Sequence, residues 1–292
     1  MLAKTGVVRA IATLAHWREY LAEAVGLGLF MVAACAFGAA LGHPDSPIVR
    51  ALPDPFVRRA LMGVAMGLTA IALIRSPWGQ RSGAHLNPAT TLAFWRLGKV
   101  ETRDAVAYAI AQMLGGLAGV GVATAALGRL VGHPDVNYVA TTPGPAGVAA
   151  AFAAEVLITF LLLTVVLRVS NTPGLERHTP LFVGALVALY ITVEAPISGM
   201  SMNPARSLAS AIPAGAWDVL WIYFLAPPIG MLLAAEAHVR RRGAAAVYCA
   251  KLHHDNPRPC IFRCRYAELA PPAAAIAPPL VPRTTVKGAH TS

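Results

Sequence analysis

The chain has 292 residues, 56% of them hydrophobic and only 13% charged, with a formal net charge of +10. A soluble domain carries about a quarter charged residues, so a water-facing globular fold lacks the polar surface it needs, and a membrane protein is the default expectation. The basic balance does not point to nucleic acid, because Lys and Arg sit at the ends of apolar runs and in the tail, not on a face interleaved with aromatics.

In chain order, Met1–Tyr20 is mixed, with Lys4, Arg9 and Arg18 and no short apolar core followed by a cleavage site. The first apolar run is therefore expected to stay as a membrane helix. Ala24–Gly42, Ala105–Gly128 and Val219–Ala235 contain no Asp, Glu, Lys or Arg, and about 20 apolar residues suffice for a helix to cross the hydrocarbon core. Six spans are predicted: Trp17–Leu41, Phe56–Ile74, Arg103–Leu130, Gly147–Val169, Pro180–Ala195 and Trp217–Val239. Pro- and Gly-bearing stretches separate them, such as HPDSP at 43–47 and NTPG at 171–174. Gly63 with Gly67, and Gly115 with Gly119, form G-x-x-x-G pairs that let helices approach closely in lipid.

Two apolar segments, Ser82–Leu97 and Ser198–Ile212, are too short to span, and each has Asn-Pro-Ala near its start. Asn is a favoured N-cap, and proline is tolerated at the first helical position, where its missing N–H costs nothing. Each segment reads as a loop that enters the membrane and becomes a short helix at Asn87-Pro88-Ala89 or Asn203-Pro204-Ala205. Backbone that is not helical at that depth must be buried in protein or line a watery cavity.

The halves repeat. SGAHLNPATT (82–91) matches SGMSMNPARS (198–207) at Ser, Gly, Asn, Pro and Ala, and AEAVG (22–26) is echoed by AEVLITF (154–160). Three spans per half is odd, so the second half enters from the opposite side. Paired broken helices in an inverted repeat point to a transport site. With both termini inside, most of the 24 lysines and arginines fall on the inner side, as the positive-inside rule requires; the Arg58–Arg59 pair is a mild counter-signal. Two half-helices meeting at the midplane aim their N-termini at each other, each carrying roughly half a positive charge. A cation or hydronium there faces both, while the Asn87 and Asn203 amides offer donors to a passing oxygen.

These motifs resemble those of the major intrinsic protein family, the aquaporins and glycerol facilitators, over about residues 17–240. The resemblance implies an all-α membrane fold of six transmembrane helices and two re-entrant half-helices, in a right-handed bundle that is usually tetrameric with one pore per subunit. It implies a passive channel in a cell membrane for water or small neutral solutes, with both termini cytoplasmic, no cofactor required and no enzymatic activity. Glu23 and Glu155 match the buried acids that hold the re-entrant loops; an acid in an apolar span is costly and is kept only with partners or function. Arg206 matches the filter arginine, and the other filter positions fall on Met66, Ile191 and Met200. Strict water channels have Phe, His and a small or thiol residue there, and glycerol facilitators have Asp where this chain has Ser207. A polyol, ammonia, a peroxide or a metalloid hydroxide therefore stands beside water as the solute.

The rival reading is an ion- or proton-coupled secondary transporter, which needs titratable groups in the pore. Glu194, about one turn beyond Ile191, is the one such residue, read either as an acidic vestibule or as an acid at a helix end. His85 is read as a pH gate or as a neutral, hydrogen-bonded loop residue. The spans contain no Ser/His or paired-acid arrangement that would suit an enzyme. Residues 1–16 form an N-terminal segment and 241–292 a tail; Arg240, Arg241 and Arg242 at the boundary are a helix-end anchor beside anionic headgroups. Cys249-x₃-His253-His254 and Cys260-x₃-Cys264 follow. If the segment is helical, each i,i+4 pair faces one way, and Cys249, Cys260, Cys264 and one of the two histidines, His253 by that spacing or His254, are a candidate zinc set. A solvated or redox-sensitive tail is the alternative. Residues from about 270 on are Pro/Ala-rich and expected to be disordered.

Overall fold

The computed structural model describes residues 16–269; the N-terminal segment before His16 and the Pro/Ala-rich stretch from 270 onward lie outside the described residues. Eight helices build the body: α1 (Trp17–Gly42), α2 (Pro55–Arg75), the short α3 (Pro88–Arg96), α4 (Thr102–Leu127), α5 (Gly147–Ser170), α6 (Thr179–Val193), the short α7 (Pro204–Ala214) and α8 (Leu220–Arg242). Five of the six long helices are long and apolar enough to cross a membrane. The sixth, α6, has 15 residues; it stops at Glu194, and a separate turn, Ala195–Ser198, completes its path. The predicted third span is shorter than expected because Gly128 adopts φ +55°, ψ −124° and breaks the helix after Leu127. The last helix begins at Leu220, since Gly215 is left-handed and a turn over 218–219 precedes the helix.

Lipid-facing surface is apolar, with Leu29, Leu68, Leu114, Leu157 and Leu233 all exposed. All five tryptophans are also exposed, and each lies at or near a helix end, where the interface favours amphipathic rings.

Small residues set the packing. α1 crosses α4 at Gly28, Gly115 and Gly119; α5 crosses α8 at Gly230; α2 crosses α6 at Gly63, Gly67 and Gly184. The first two contacts are equivalent in the repeat, and the third joins the halves. A Cβ on Gly115 would overlap the Ala24 carbonyl, and one on Gly67 would lie 2.5 Å from the Gly184 carbonyl oxygen. Backbone this close has no room to yield. Gly115→Val is expected to lower stability by about 3 kcal/mol, the upper end of the usual overpacking range, read as a fall in melting temperature in detergent. Gly121→Ala on the same helix meets nothing within 4 Å and should leave that temperature in place.

The tail does not float. Residues 244–269 form only two 3₁₀ turns, Ala244–Ala246 and Tyr266–Glu268, yet Val247, Ala250, Lys251, Leu252 and Phe262 are buried. The segment is tied to the loops beneath it. Tyr248 N–H donates to Asn171 Oδ1 (2.7 Å), Leu252 N–H to the Gly83 carbonyl (3.1 Å) and Arg263 N–H to the Lys99 carbonyl (3.0 Å). Of the two alternatives to a metal site, a solvated or a redox-sensitive tail, the solvated one does not hold for residues 247–252 and 262, which are packed down.

Candidate functional site

The two re-entrant loops have the same unusual backbone. Gly83, Ala84 and Leu86 have φ of +96°, +56° and +47°; Gly199, Met200 and Met202 have +82°, +51° and +54°. Left-handed non-glycine residues cost about 1–3 kcal/mol each and persist only where the surroundings over-determine them. The determinants are the two predicted acids. On one oxygen, Glu23 accepts from Ser82 Oγ (2.6 Å) and His85 N (3.0 Å); on the other, from Leu86 N (2.5 Å) and Gln112 Nε2 (2.7 Å). Glu155 accepts from Ser198 Oγ (2.7 Å), Ser201 N (2.6 Å) and Met202 N (2.8 Å). A second brace, missed in the sequence, is tyrosine: Tyr108 donates to the Ser82 carbonyl (2.7 Å) and Tyr223 to the Ser198 carbonyl (2.5 Å). Their signal was present, as an aromatic hydroxyl in the last helix of each half at nearly the same distance from its Asn-Pro-Ala. Ser207 is also buried, bonded to Thr141 (2.7 Å) and Ser201 (2.5 Å), tying the loop before α5 to the second re-entrant loop.

Both asparagines cap their half-helices as predicted. Asn87 Oδ1 accepts from Ala89 N (2.8 Å), and Asn203 Oδ1 from Ala205 N (3.0 Å) and Arg206 N (3.3 Å). This turns each amide nitrogen outward. Asn87 Nδ2 donates to the Met202 carbonyl and Asn203 Nδ2 to the Leu86 carbonyl, each at 2.7 Å. An amide nitrogen carries two hydrogens, so one locks the opposite loop and the other is left for the cavity.

That cavity has a volume of about 430 Å³. Asn87, Asn203, Met66, Ile191, Met200 and Arg206 all line it, so the predicted junction and filter residues share one passage. Arg206 Nη1 is buried without a hydrogen-bond partner among the described residues. Arg206 thus shares this cavity with the apolar side chains of Met66, Ile191 and Met200.

Glu194 is buried and is not on the cavity wall, so it forms no acidic vestibule. The one carboxylate on that wall among the described residues is Asp135, in the loop after α4 and far in sequence from either Asn-Pro-Ala. His85 lies on the wall, stacked between Phe94 (5.2 Å between centroids) and Phe262 (5.3 Å). Its Nε2 is 2.9 Å from the Ala250 carbonyl, and its Nδ1 is 3.0 Å from Thr91 Oγ1. Only a protonated Nε2 satisfies the carbonyl, leaving Nδ1 to accept from the hydroxyl; the neutral imidazole is thereby satisfied at both nitrogens.

The tail brings four donors together: one atom each from Cys249, His254, Cys260 and Cys264, all within 4.8 Å of one another. Cys249 Sγ is 3.5 Å from Cys260 Sγ, and His254 Nε2 is 3.0 Å from Cys264 Sγ. A tetrahedron with Zn–S bonds of about 2.3 Å has edges of about 3.8 Å, so the cluster needs only small adjustments. The histidine differs from the expected one. Helical i,i+4 spacing favours His253, but residues 247–265 form no helix, and the irregular chain turns His254 inward instead. Hydrogen bonding within the cluster holds Cys260 and Cys264 below the usual thiol range, outweighing burial, while it pushes Cys249 up. Two thiols thus favour the thiolate that binds metal.

The family described as "Major intrinsic protein" matches residues 10–238. The chain is 38% identical to the glycerol uptake facilitator protein-like 6 of Lactiplantibacillus plantarum over 227 residues, 75% of this chain and 95% of that protein. It is also 38% identical to aquaporin NIP1-3 of Oryza sativa over 176 residues, 60% of this chain and 59% of that one. Among solved structures, the X-ray structure of the aquaglyceroporin from Plasmodium falciparum aligns with a TM-score of 0.61 at 21% identity, covering 76% of this chain and 95% of that one. That last likeness concerns the fold alone, but a profile covering most of the sequence, together with the paired loops and their acids, places the chain in the major intrinsic protein family.

Proposed function

We propose that the protein is a passive transmembrane channel for water and small neutral solutes. The observation that carries this reading is the shared cavity, where two outward-turned asparagine amides and Arg206 offer donors and Arg58 and Arg59 add positive charge to the same wall. Paired helix N-termini and a fixed guanidinium repel cations while offering hydrogens to a neutral oxygen. The wall near the asparagines carries no carboxylate among the described residues, which favours a channel over a proton-coupled transporter. Both termini are placed in the cytoplasm, four copies assemble in a cell membrane, and permeation needs no cofactor. The thiol–imidazole cluster of the tail, with His254 as its nitrogen donor, is proposed to hold zinc.

Solute choice is assigned to Met66, Ile191, Met200 and Arg206. The test is stopped-flow of proteoliposomes with water, glycerol, urea and ammonia, with and without an imposed proton gradient. Met66→Phe plus Ile191→His restores an aromatic and an imidazole to the filter. Steric discrimination of this kind is worth about 1–3 kcal/mol, so glycerol permeability relative to water should fall by about tenfold or more. An unchanged ratio in the double variant would mean that the filter lies elsewhere. Flux that follows the proton gradient would replace the channel reading with the transporter one.

A further inference from the structure

Leu252 is the one tail residue on the cavity wall among the described residues. It is buried, and its N–H is held by the carbonyl of Gly83, four residues before Asn87. Phe262 packs at the same place. Its ring stacks on His85 at 8° between planes and lies 2.8 Å from where a Gly83 Cβ would be. The tail therefore reaches the cavity beside the first re-entrant loop, with Leu252 on its wall and Phe262 packed against His85 and Gly83.

The segment carrying these two side chains has little regular structure of its own to hold it there. The four clustered donors bracket it: Leu252 lies between Cys249 and His254, and Phe262 between Cys260 and Cys264. Lys251 Nζ closes the same loop by donating to the carbonyls of Arg258 (3.1 Å) and Pro259 (2.8 Å). Outside the cluster, Tyr266 stacks on His254 with 4.1 Å between ring centroids and donates its N–H to Cys264 Sγ (3.4 Å), the outer-shell support that fixes metal ligands in place. A metal joining all four would cross-link both ends of the loop, and binding of that kind is ordering free energy for the segment it crosses.

We propose that zinc held by Cys249, His254, Cys260 and Cys264 locks residues 247–265 over the pore mouth, so that metal binding closes the channel. This rests on the channel and zinc readings above and adds the coupling between them. Metal that binds only the docked tail, at about a hundred times its dissociation constant, raises the ratio of docked to undocked tail about a hundredfold, so loading is expected to reduce water and glycerol permeability by at least about tenfold.

The test uses the full-length protein in proteoliposomes, stripped with a membrane-permeant chelator and then reloaded with zinc. Bound zinc is measured per chain, and permeability by stopped-flow. One zinc per chain, with low flux when loaded and high flux when stripped, is the expected result. Cys260→Ser plus Cys264→Ser should lose the zinc and stay open, whereas Leu252→Ala should keep the zinc and conduct when loaded. Equal flux in loaded and stripped wild-type protein, with one zinc bound in the former, overturns the plug and leaves the metal site standing. A chain that retains no zinc overturns both. Absence of flux in every form, Leu252→Ala included, overturns the channel reading and the plug with it.

Discussion

Glu155→Ala is expected to unfold the second re-entrant loop, with loss of both stability and permeation. The carboxylate accepts from the Ser198 hydroxyl and from the N–H groups of Ser201 and Met202, all buried. An unsatisfied buried donor costs about 1–3 kcal/mol, so three of them put the loss at about 3 kcal/mol or more. The left-handed turns at Met200 and Met202 lose the group that holds them. Glu155→Gln is the milder probe, because it keeps one carbonyl oxygen but sets an NH₂ group against a backbone donor. Thermal unfolding in detergent and stopped-flow water flux together measure this. A Glu155→Ala protein with wild-type melting and flux would show that the loop holds its shape without the acid.

Asn203→Asp is expected to convert a cation-tight passage into a leaky one. The substitution places a negative charge where two positive helix N-termini converge, so the carboxylate is stabilised in its ionised form. A unit charge at about 4 Å and an effective dielectric of about 20 is worth about 4 kcal/mol, and each 1.4 kcal/mol is about tenfold, so cation or proton entry should rise by roughly a hundredfold or more. The change also sets a carboxylate oxygen against the Leu86 carbonyl, where Asn203 Nδ2 now donates at 2.7 Å, so some loosening of the junction accompanies it. Dissipation of a pH gradient in dye-loaded vesicles reads the leak. Vesicles as tight as wild type would move charge exclusion from the asparagines to Arg206.

The body of the fold was legible because its determinants are local and repeated. Asn87 and Asn203 announce half-helices by cap chemistry, Gly63, Gly67, Gly115 and Gly119 mark close crossings by spacing, and Glu23 and Glu155 stand out as charges in apolar runs. Each of those signals survives without knowledge of the rest of the chain. Helix ends were less legible: Gly128 and Glu194 end helices inside apolar stretches that hydropathy alone would continue. Tyr108 and Tyr223 carry no local signal of their role, since the carbonyls they brace belong to loops distant in sequence. The tail was the least legible part. With no period to count along, helical spacing picked His253, and nothing local indicates that Leu252 and Phe262 reach back to Gly83 and His85.

The crossed amide bonds at the junction have a consequence for biogenesis. Asn87 needs the Met202 carbonyl, and Asn203 needs that of Leu86, while the glycine face of α2 waits for α6. A ribosome delivers the first half long before Met202 exists. Until then, the leading half is a membrane insert with an unfinished donor and an empty groove, and its loop gains its full set of bonds only when the trailing half arrives. Neither half makes a pore by itself, so a chain truncated between α4 and α5 is expected to be recognised as incomplete by membrane quality control.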